Sequence, residues 1–221
     1  MRLRTIPSLK LRGRRVVLRE DFNVPLTVRG GVADDTKIRR ALPTINAYRR
    51  TARAVVILSH LGRPSGHGKD ESLKVIAQRL AVLLKAPVEF FSEGPTPENA
   101  QLTQQLPRGS VVLVENTRLF KGEESNAPAL AKRFASLGDV FVMDAFASAH
   151  RAHASTVGIA KFLPSYAGPQ VVVEVEALRQ ATQHPKHPYV AIIGGAKVST
   201  KLGLLRMLFK RADYIVLGGA L

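Results

Sequence analysis

The sequence has 221 residues, 45% hydrophobic and 23% charged, with a formal net charge of +16 and no cysteine. That length and balance suit one large globular domain or one and a half ordinary ones, and the missing thiols exclude disulfides and thiolate metal centres. No run of 18 uncharged apolar residues is present and the first ten residues lack the apolar core of a secretory signal, so neither a membrane span nor export is expected and the cytoplasm is the expected compartment.

Residues 1–60 hold fourteen Lys/Arg against four Asp/Glu. The basic residues are scattered among strand-like and helix-like segments without interleaved aromatics, which predicts a basic face for a small polyanion rather than a nucleic-acid partner.

In chain order, Arg15–Arg19 predicts a first strand that runs into Glu20-Asp-Phe-Asn-Val-Pro25, where proline ends the ladder. Asp21 and Asn23 stand two apart, so on an extended backbone both point one way and Phe22 the other; an Asp-x-Asn pair is equally the composition of a plain turn. Thr36–Arg50 predicts a helix, apolar at Ile38, Leu42 and Ile45 and capped by Asp35 or Thr36. Ala54–Leu58 is a continuous apolar run, as in a strand buried on both faces of a parallel sheet, and Ser59-His-Leu-Gly-Arg-Pro64 follows it directly. Ser72–Lys85 has helical apolar spacing, Val88–Phe91 is a short strand, and residues 95–109 read as loop with weak helix.

Val111–Val114 repeats the pattern, a buried strand followed by Glu115-Asn-Thr-Arg118, and Pro128–Leu137 reads as the return helix. Val140–Met143 then leads into Asp144-Ala-Phe-Ala-Ser-Ala-His-Arg-Ala-His-Ala-Ser155, which holds one carboxylate, two imidazoles, one guanidinium and two hydroxyls. This cluster has the composition of an anion site, although His150 and His153 also fit as partners of buried polar groups and Arg151 as a surface charge. Strands alternating with helices predict a mainly parallel α/β sheet; if the four strands are neighbours, their polar loops share one edge.

Residues 162–169 are broken by proline and glycine, and Gln170–Thr182 predicts a connecting helix. The expected organisation is a first domain over 1–168, a connector over 169–188 and a second unit over 189–221. That unit opens with strand Tyr189–Ile193 and Gly194-Gly195, continues through Lys197 and a helix over 199–210, and reaches strand Asp213–Leu217 and Gly218-Gly219. Glycines between a strand and a helix let backbone N–H groups approach a phosphate, but the G-x-x-x-x-G-K-[ST] pattern of a P-loop is absent.

Five segments, Asp21-Phe-Asn-Val-Pro25, Ser59-His-Leu-Gly-Arg-Pro64, Glu115-Asn-Thr-Arg118, Asp144-Ala-Phe through His150-Arg-Ala-His153, and Gly194-Gly-Ala-Lys-Val-Ser199, together resemble the phosphoglycerate kinase family in order and spacing. The resemblance implies a Rossmann-like parallel sheet flanked by helices, followed by an incomplete second α/β domain that lacks the family's Gly-Gly-Gly-Asp loop and terminal segment. It implies reversible phosphoryl transfer between 1,3-bisphosphoglycerate with Mg-ADP and 3-phosphoglycerate with Mg-ATP, with Mg2+ held by the nucleotide and no metal held by the protein. A monomer without nucleic-acid or membrane partners is implied. A fragment that holds 3-phosphoglycerate without turnover is the alternative.

By the same resemblance Asp21 and Asn23 take the glycerate hydroxyl and carboxylate end, and His60, Arg63, Arg118 and Arg151 take the substrate phosphate. Lys197 and Lys37 act on the migrating phosphoryl group, Lys201 contacts nucleotide phosphates, and Gly195, Gly218 and Gly219 lie against the nucleotide. His150 and His153 are expected as structural neighbours. Lys37 stands where the family usually has arginine, which keeps the charge but loses the planar two-pronged donor. Met143, Ala147 and Thr200 also depart from the residues common in the family.

Overall fold

The apolar runs pair as the pattern requires. In the computed structural model, which describes residues 3–64, 71–183, 185–195 and 202–219, strands β1 (Arg15–Arg19), β2 (Ala54–Leu58), β3 (Glu89–Phe91), β4 (Ser110–Val114), β5 (Val140–Met143) and β6 (Ser165–Ala167) form one parallel sheet in the order β3-β4-β2-β1-β5-β6. Helices α1 (Thr36–Arg49), α2 (Lys74–Leu84), α3 (Pro97–Gln105), α4 (Pro128–Ser136), the short α5 (Phe146–Ala149) and α6 (Pro169–Gln183) complete this α/β fold.

Alternate strand residues point to opposite faces, which is why the runs are apolar without interruption. Val16, Leu18, Val55 and Ile57 pack with Ile38 of α1 and Ile76 of α2, while Val17, Val56, Leu58 and Phe141 pack with Leu130 and Phe134 of α4. Among the described residues no helix is long and apolar enough to cross a membrane.

The chain divides into two compact units, Met1–Val172 and Val173–Leu221. In the second, β7 (Val190–Gly194) and β8 (Tyr214–Gly218) pair in parallel, and Ala191 and Ile193 pack with Leu205 and Leu208 of α7 (Leu202–Leu208). Both strands begin and end one residue later than the pattern predicts.

Three local expectations are corrected. The proline- and glycine-punctuated stretch contains β6, an edge strand that pairs with β5 alone, so Pro164 before it and Gly168 after it cost the ladder little. Residues 97–105 form a full helix because Thr96 accepts the Asn99 N–H at 3.1 Å and Pro97 occupies the first turn. Asp35 holds the N-cap position of α1 as expected, but its side chain makes no cap and pairs with Arg39 and Arg79, and Asp34 instead accepts the Thr36 N–H at 2.8 Å.

Asp144 belongs to the scaffold, not to the crevice its sequence cluster suggested. It is buried, and its Oδ1 accepts the N–H groups of Gln170 at 2.7 Å and Val171 at 3.3 Å, tying down the first turn of α6, while its Oδ2 accepts the Thr44 hydroxyl at 2.9 Å. Gly168 lies so close that a Cβ there would stand 2.3 Å from Asp144 Oδ1. Gln170 Nε2 donates to Glu20 Oε2 at 3.2 Å and to Asp144 Oδ2 at 3.4 Å, bridging two buried carboxyl groups.

Burial, then the Asp144 charge, raise the Glu20 carboxyl well above the ordinary range. The proton of this pair sits on Glu20, because Asp144 is the better supplied with donors and Glu20 Oε1 has no hydrogen-bond partner. A carboxyl raised in the folded state adds full stability below its unfolded value and loses that contribution as pH rises through the folded one. Glu20→Gln is therefore expected to melt with the parent near pH 4.5 and above it at pH 8; thermal melts showing one constant offset across that range would contradict the assignment.

Candidate functional site

Because β4, β2, β1 and β5 are consecutive in the sheet and parallel, the loops that follow them emerge along one edge. β1 leads to α1 on one face, while Ala154 and Ile159, beyond β5, pack into the core of the other face. The chain thus leaves β1 and β5 toward opposite faces, and such a switch point is where a parallel α/β sheet opens a crevice.

The crevice is built around Arg19, 1% exposed at the end of β1. A buried guanidinium has only donors and must find acceptors. Its Nε donates to Ser155 Oγ at 3.2 Å, its Nη1 to the Glu20 carbonyl, and its Nη2 to His60 Nδ1 at 3.2 Å. Ser155 in turn donates from Oγ to Glu123 Oε1 at 2.5 Å and from its N–H to Oε2 at 3.0 Å. Glu123, also 1% exposed, therefore balances Arg19 through a single hydroxyl.

This arrangement fixes the chemistry of His60. Arginine can only donate, so Nδ1 must be the acceptor and the ring proton lies on Nε2. Burial, then the charges of Arg19 and Arg118, push the imidazole down to about 3 against a smaller opposing pull from Asp21. His60 is a neutral N–H donor across the physiological range.

Side chains weld the loops to one another. Ser59 Oγ accepts the Phe22 N–H at 2.8 Å and Asn23 Oδ1 accepts the Gly62 N–H at 2.9 Å, which joins the β1 and β2 loops. Asn116 is buried; it accepts the N–H groups of Leu61 at 3.2 Å and Arg118 at 3.1 Å and donates to the carbonyls of Leu61 and Glu71, both at 2.8 Å. Arg118 Nη1 donates to the Gly62 carbonyl, and its Nε lies 3.3 Å from Glu124 Oε1, a charge contact without hydrogen-bond alignment. Arg63 and Arg118 line a cavity of about 380 Å³ together with Phe120, Glu123 and Glu124.

The remaining predicted positions divide clearly. Phe22 is buried and Asn23 exposed, as alternation requires, and Asp21 holds Lys37 Nζ at 2.9 Å through Oδ2. The carbonyl of Arg151 accepts the Thr156 hydroxyl at 2.6 Å, and its charge is felt at His60, Arg118 and His153. His153 stands 3.8 Å from Glu123 and burial lowers its pKa; His150 is exposed at the end of α5. In the second unit Gly195 and Gly219 carry φ of +125° and +71° just beyond β7 and β8, and Gly218 pairs with Gly194 in the ladder. Lys197 and Lys201 lie outside the described residues.

Sequence reasoning missed Arg19, Glu123 and Asn116. Arg19 carried one signal, a charge on the same strand face as Val17; Glu123, in a polar run, carried none.

Fold and edge together define a parallel α/β protein with a basic, partly neutralised crevice at a switch point, the architecture that receives small anions. The family model described as phosphoglycerate kinase matches residues 6–221. A phosphoglycerate kinase of Desulforudis audaxviator is 46% identical over 219 residues, covering 99% of this chain and 56% of the relative. The chain belongs to the phosphoglycerate kinase family. Solved phosphoglycerate kinases agree: that of Coxiella burnetii has a TM-score of 0.85 at 42% identity, over 99% of this chain and 55% of that one. That of Pyrococcus horikoshii OT3 has a TM-score of 0.86 at 30% identity, over 98% of this chain and 55% of that one. The chain thus spans about half the length of the relatives it matches.

A ring that protonates near 6.5 when unfolded but near 3 when folded makes unfolding easier as pH falls below 6.5, since the unfolded state then binds the extra proton. His60 is expected to show the neutral, Nε2-protonated pattern in nitrogen NMR from pH 7 to pH 5, and His60→Gln to flatten the acid limb of the stability curve. A His60 resonance titrating near 6.5 would overturn the Arg19 contact as drawn.

Proposed function

We propose that the carboxyl-edge crevice is the 3-phosphoglycerate site of a phosphoglycerate kinase, acting in reversible phosphoryl transfer with Mg-ATP and Mg-ADP in cytoplasmic glycolysis. The observation that carries this reading is the interlocked Arg19–His60–Arg118 corner at the switch point, with Arg63 beside it and the charge of Arg151 felt within it. Phosphoryl transfer asks the protein chiefly for positioning and for positive charge on the moving group.

In this reading the Nε2–H of His60 and the guanidinium groups of Arg63, Arg118 and Arg151 receive the substrate phosphate, and Asp21 and Asn23 receive the glycerate end. Asn23 Oδ1 is already engaged by the Gly62 N–H, which leaves its amide N–H groups for the substrate. Lys37, paired with Asp21, has a charge partner that an incoming phosphoryl group would compete with. Lys197 serves the migrating phosphoryl group, Lys201 the nucleotide phosphates, Gly195, Gly218 and Gly219 lie against the nucleotide, and Mg2+ arrives with the nucleotide. Residues 1–168 then form the substrate domain of a monomer, 169–188 the connector and 189–221 nucleotide-domain residues. A narrower second reading of these 221 residues is binding of 3-phosphoglycerate without turnover.

Calorimetry with 3-phosphoglycerate tests the site. Arg118→Ala and Arg151→Ala are each expected to weaken binding by about 10- to 150-fold, from about 1.5–3 kcal/mol per charge-assisted hydrogen bond. Unchanged affinity would remove that residue from the site. A coupled assay of ATP-dependent turnover separates the two readings, since binding with no turnover leaves only the narrower one.

A further inference from the structure

The end of the sheet opposite the crevice gathers charges that the sequence scatters. There the chain turns from helices into strands through residues 12–14, 50–53, 106–109 and 137–139. Arg53 N–H donates to the Arg14 carbonyl at 2.9 Å, Gly109 N–H to the Arg53 carbonyl at 2.7 Å, and Gly13 N–H to the Thr51 carbonyl at 3.2 Å, so three of these turns are stitched edge to edge. A Cβ on Gly109 would stand 2.9 Å from the Arg49 carbonyl, which brings the end of α1 into the same corner.

Arg12, Arg14, Arg50, Arg53 and Arg108 are exposed on this rim. Asp139 is the carboxylate within these turns, and Arg15 occupies it through Nη2 to Oδ1 at 2.6 Å and N–H to Oδ2 at 2.7 Å. None of the five exposed arginines has a carboxylate in hydrogen-bond or ion-pair contact among the described residues; Arg14 reaches Asp139 only as a longer-range charge, and Arg53 donates to the carbonyls of Gln104 and Leu106. The negative end of the α1 dipole accounts for a cation at Arg50 but not for the other four.

From this clustering, which the scattered sequence positions concealed, we propose, against the sequence expectation of no nucleic-acid partner, that the amino edge of the sheet is a docking surface for double-stranded nucleic acid, held through its phosphates without sequence preference. Planar guanidinium forks match phosphate oxygens. Successive strand starts at about 4.8 Å spacing place Arg14, Arg53 and Arg108 across about 10 Å, the reach of about three successive phosphates of one strand. The apolar residues of these turns, Leu11, Ala52, Leu106 and Leu137, are buried, so the rim offers nothing to insert into a lipid bilayer. The turns contain no aromatic side chain on which the bases of a single strand could stack.

Fluorescence anisotropy of the 221-residue chain with a labelled mixed-sequence duplex, read against salt, tests the proposal. Five phosphate contacts predict a slope of log K against log salt of about −4 to −5, and the double variants Arg12→Gln/Arg14→Gln and Arg50→Gln/Arg108→Gln should each reduce it by about 2. Thermal melts matching the parent confirm that a double is folded, and either pair alone decides if the other is not. A parental slope of only −1 or −2, a slope unchanged in a folded double, a loss of binding caused instead by Arg118→Ala/Arg151→Ala, or tighter binding to vesicles containing anionic lipid would each overturn it.

Discussion

A parallel sheet covered by helices on both faces has no room for a charge along its length, so every polar group the strands carry must be resolved at one of the two edges. The strands here are short, and the residues between their ends are almost wholly apolar and buried. Arg19 ends β1 at one edge and Arg15 begins it at the other, and each guanidinium has a carboxylate to answer it, Glu123 through Ser155 in one case and Asp139 directly in the other. The two edges differ in what lies beyond that first pair. At the carboxyl edge the loops are tied to one another by Ser59, Asn23 and Asn116; at the amino edge backbone hydrogen bonds join the turns, with the Arg53 side chain also reaching the Leu106 carbonyl.

The Arg19 network encloses one guanidinium entirely among protein acceptors. Removing one member of a buried, hydrogen-bonded ion pair costs about 3–5 kcal/mol because the other is left uncompensated. The network therefore holds one arrangement, and His60 takes its tautomer from it. Arg63 and Arg118 line the cavity at the mouth, where Glu124 lies against Arg118. Arg19 is enclosed by its partners, whereas Arg118, its side chain only 5% exposed, and the exposed Arg63 border the cavity.

Much of this was legible in the sequence. The apolar runs Ala54–Leu58 and Val140–Met143 declared strands buried on both faces, and four such strands ending in polar loops implied a shared edge. What remained hidden depended on pairing across the chain. Glu123 and Ser155 lie 32 residues apart and Arg19 a further 104 before Glu123, so no local pattern could couple them. Asp144 was misleading for the same reason, since a carboxylate at a strand's end can face the crevice or cap a later helix, and only the position of Gln170 decides which. β6 was obscured by the proline and glycine around it, which forbid a central strand but not an edge one. The amino-edge arginines were visible singly; their neighbourhood was not.

Gly168 bears on how such a chain can vary. A methyl group there would overlap the Asp144 carboxylate, which simultaneously holds the first turn of α6 and the Thr44 hydroxyl of α1. No small replacement offers a gradual route away from glycine, because even alanine must displace the carboxylate and so disturb two helices together. Tolerance at this position should rise only when residue 144 has already been shortened, making the pair a coupled lock in which the order of mutation matters as much as the mutations themselves.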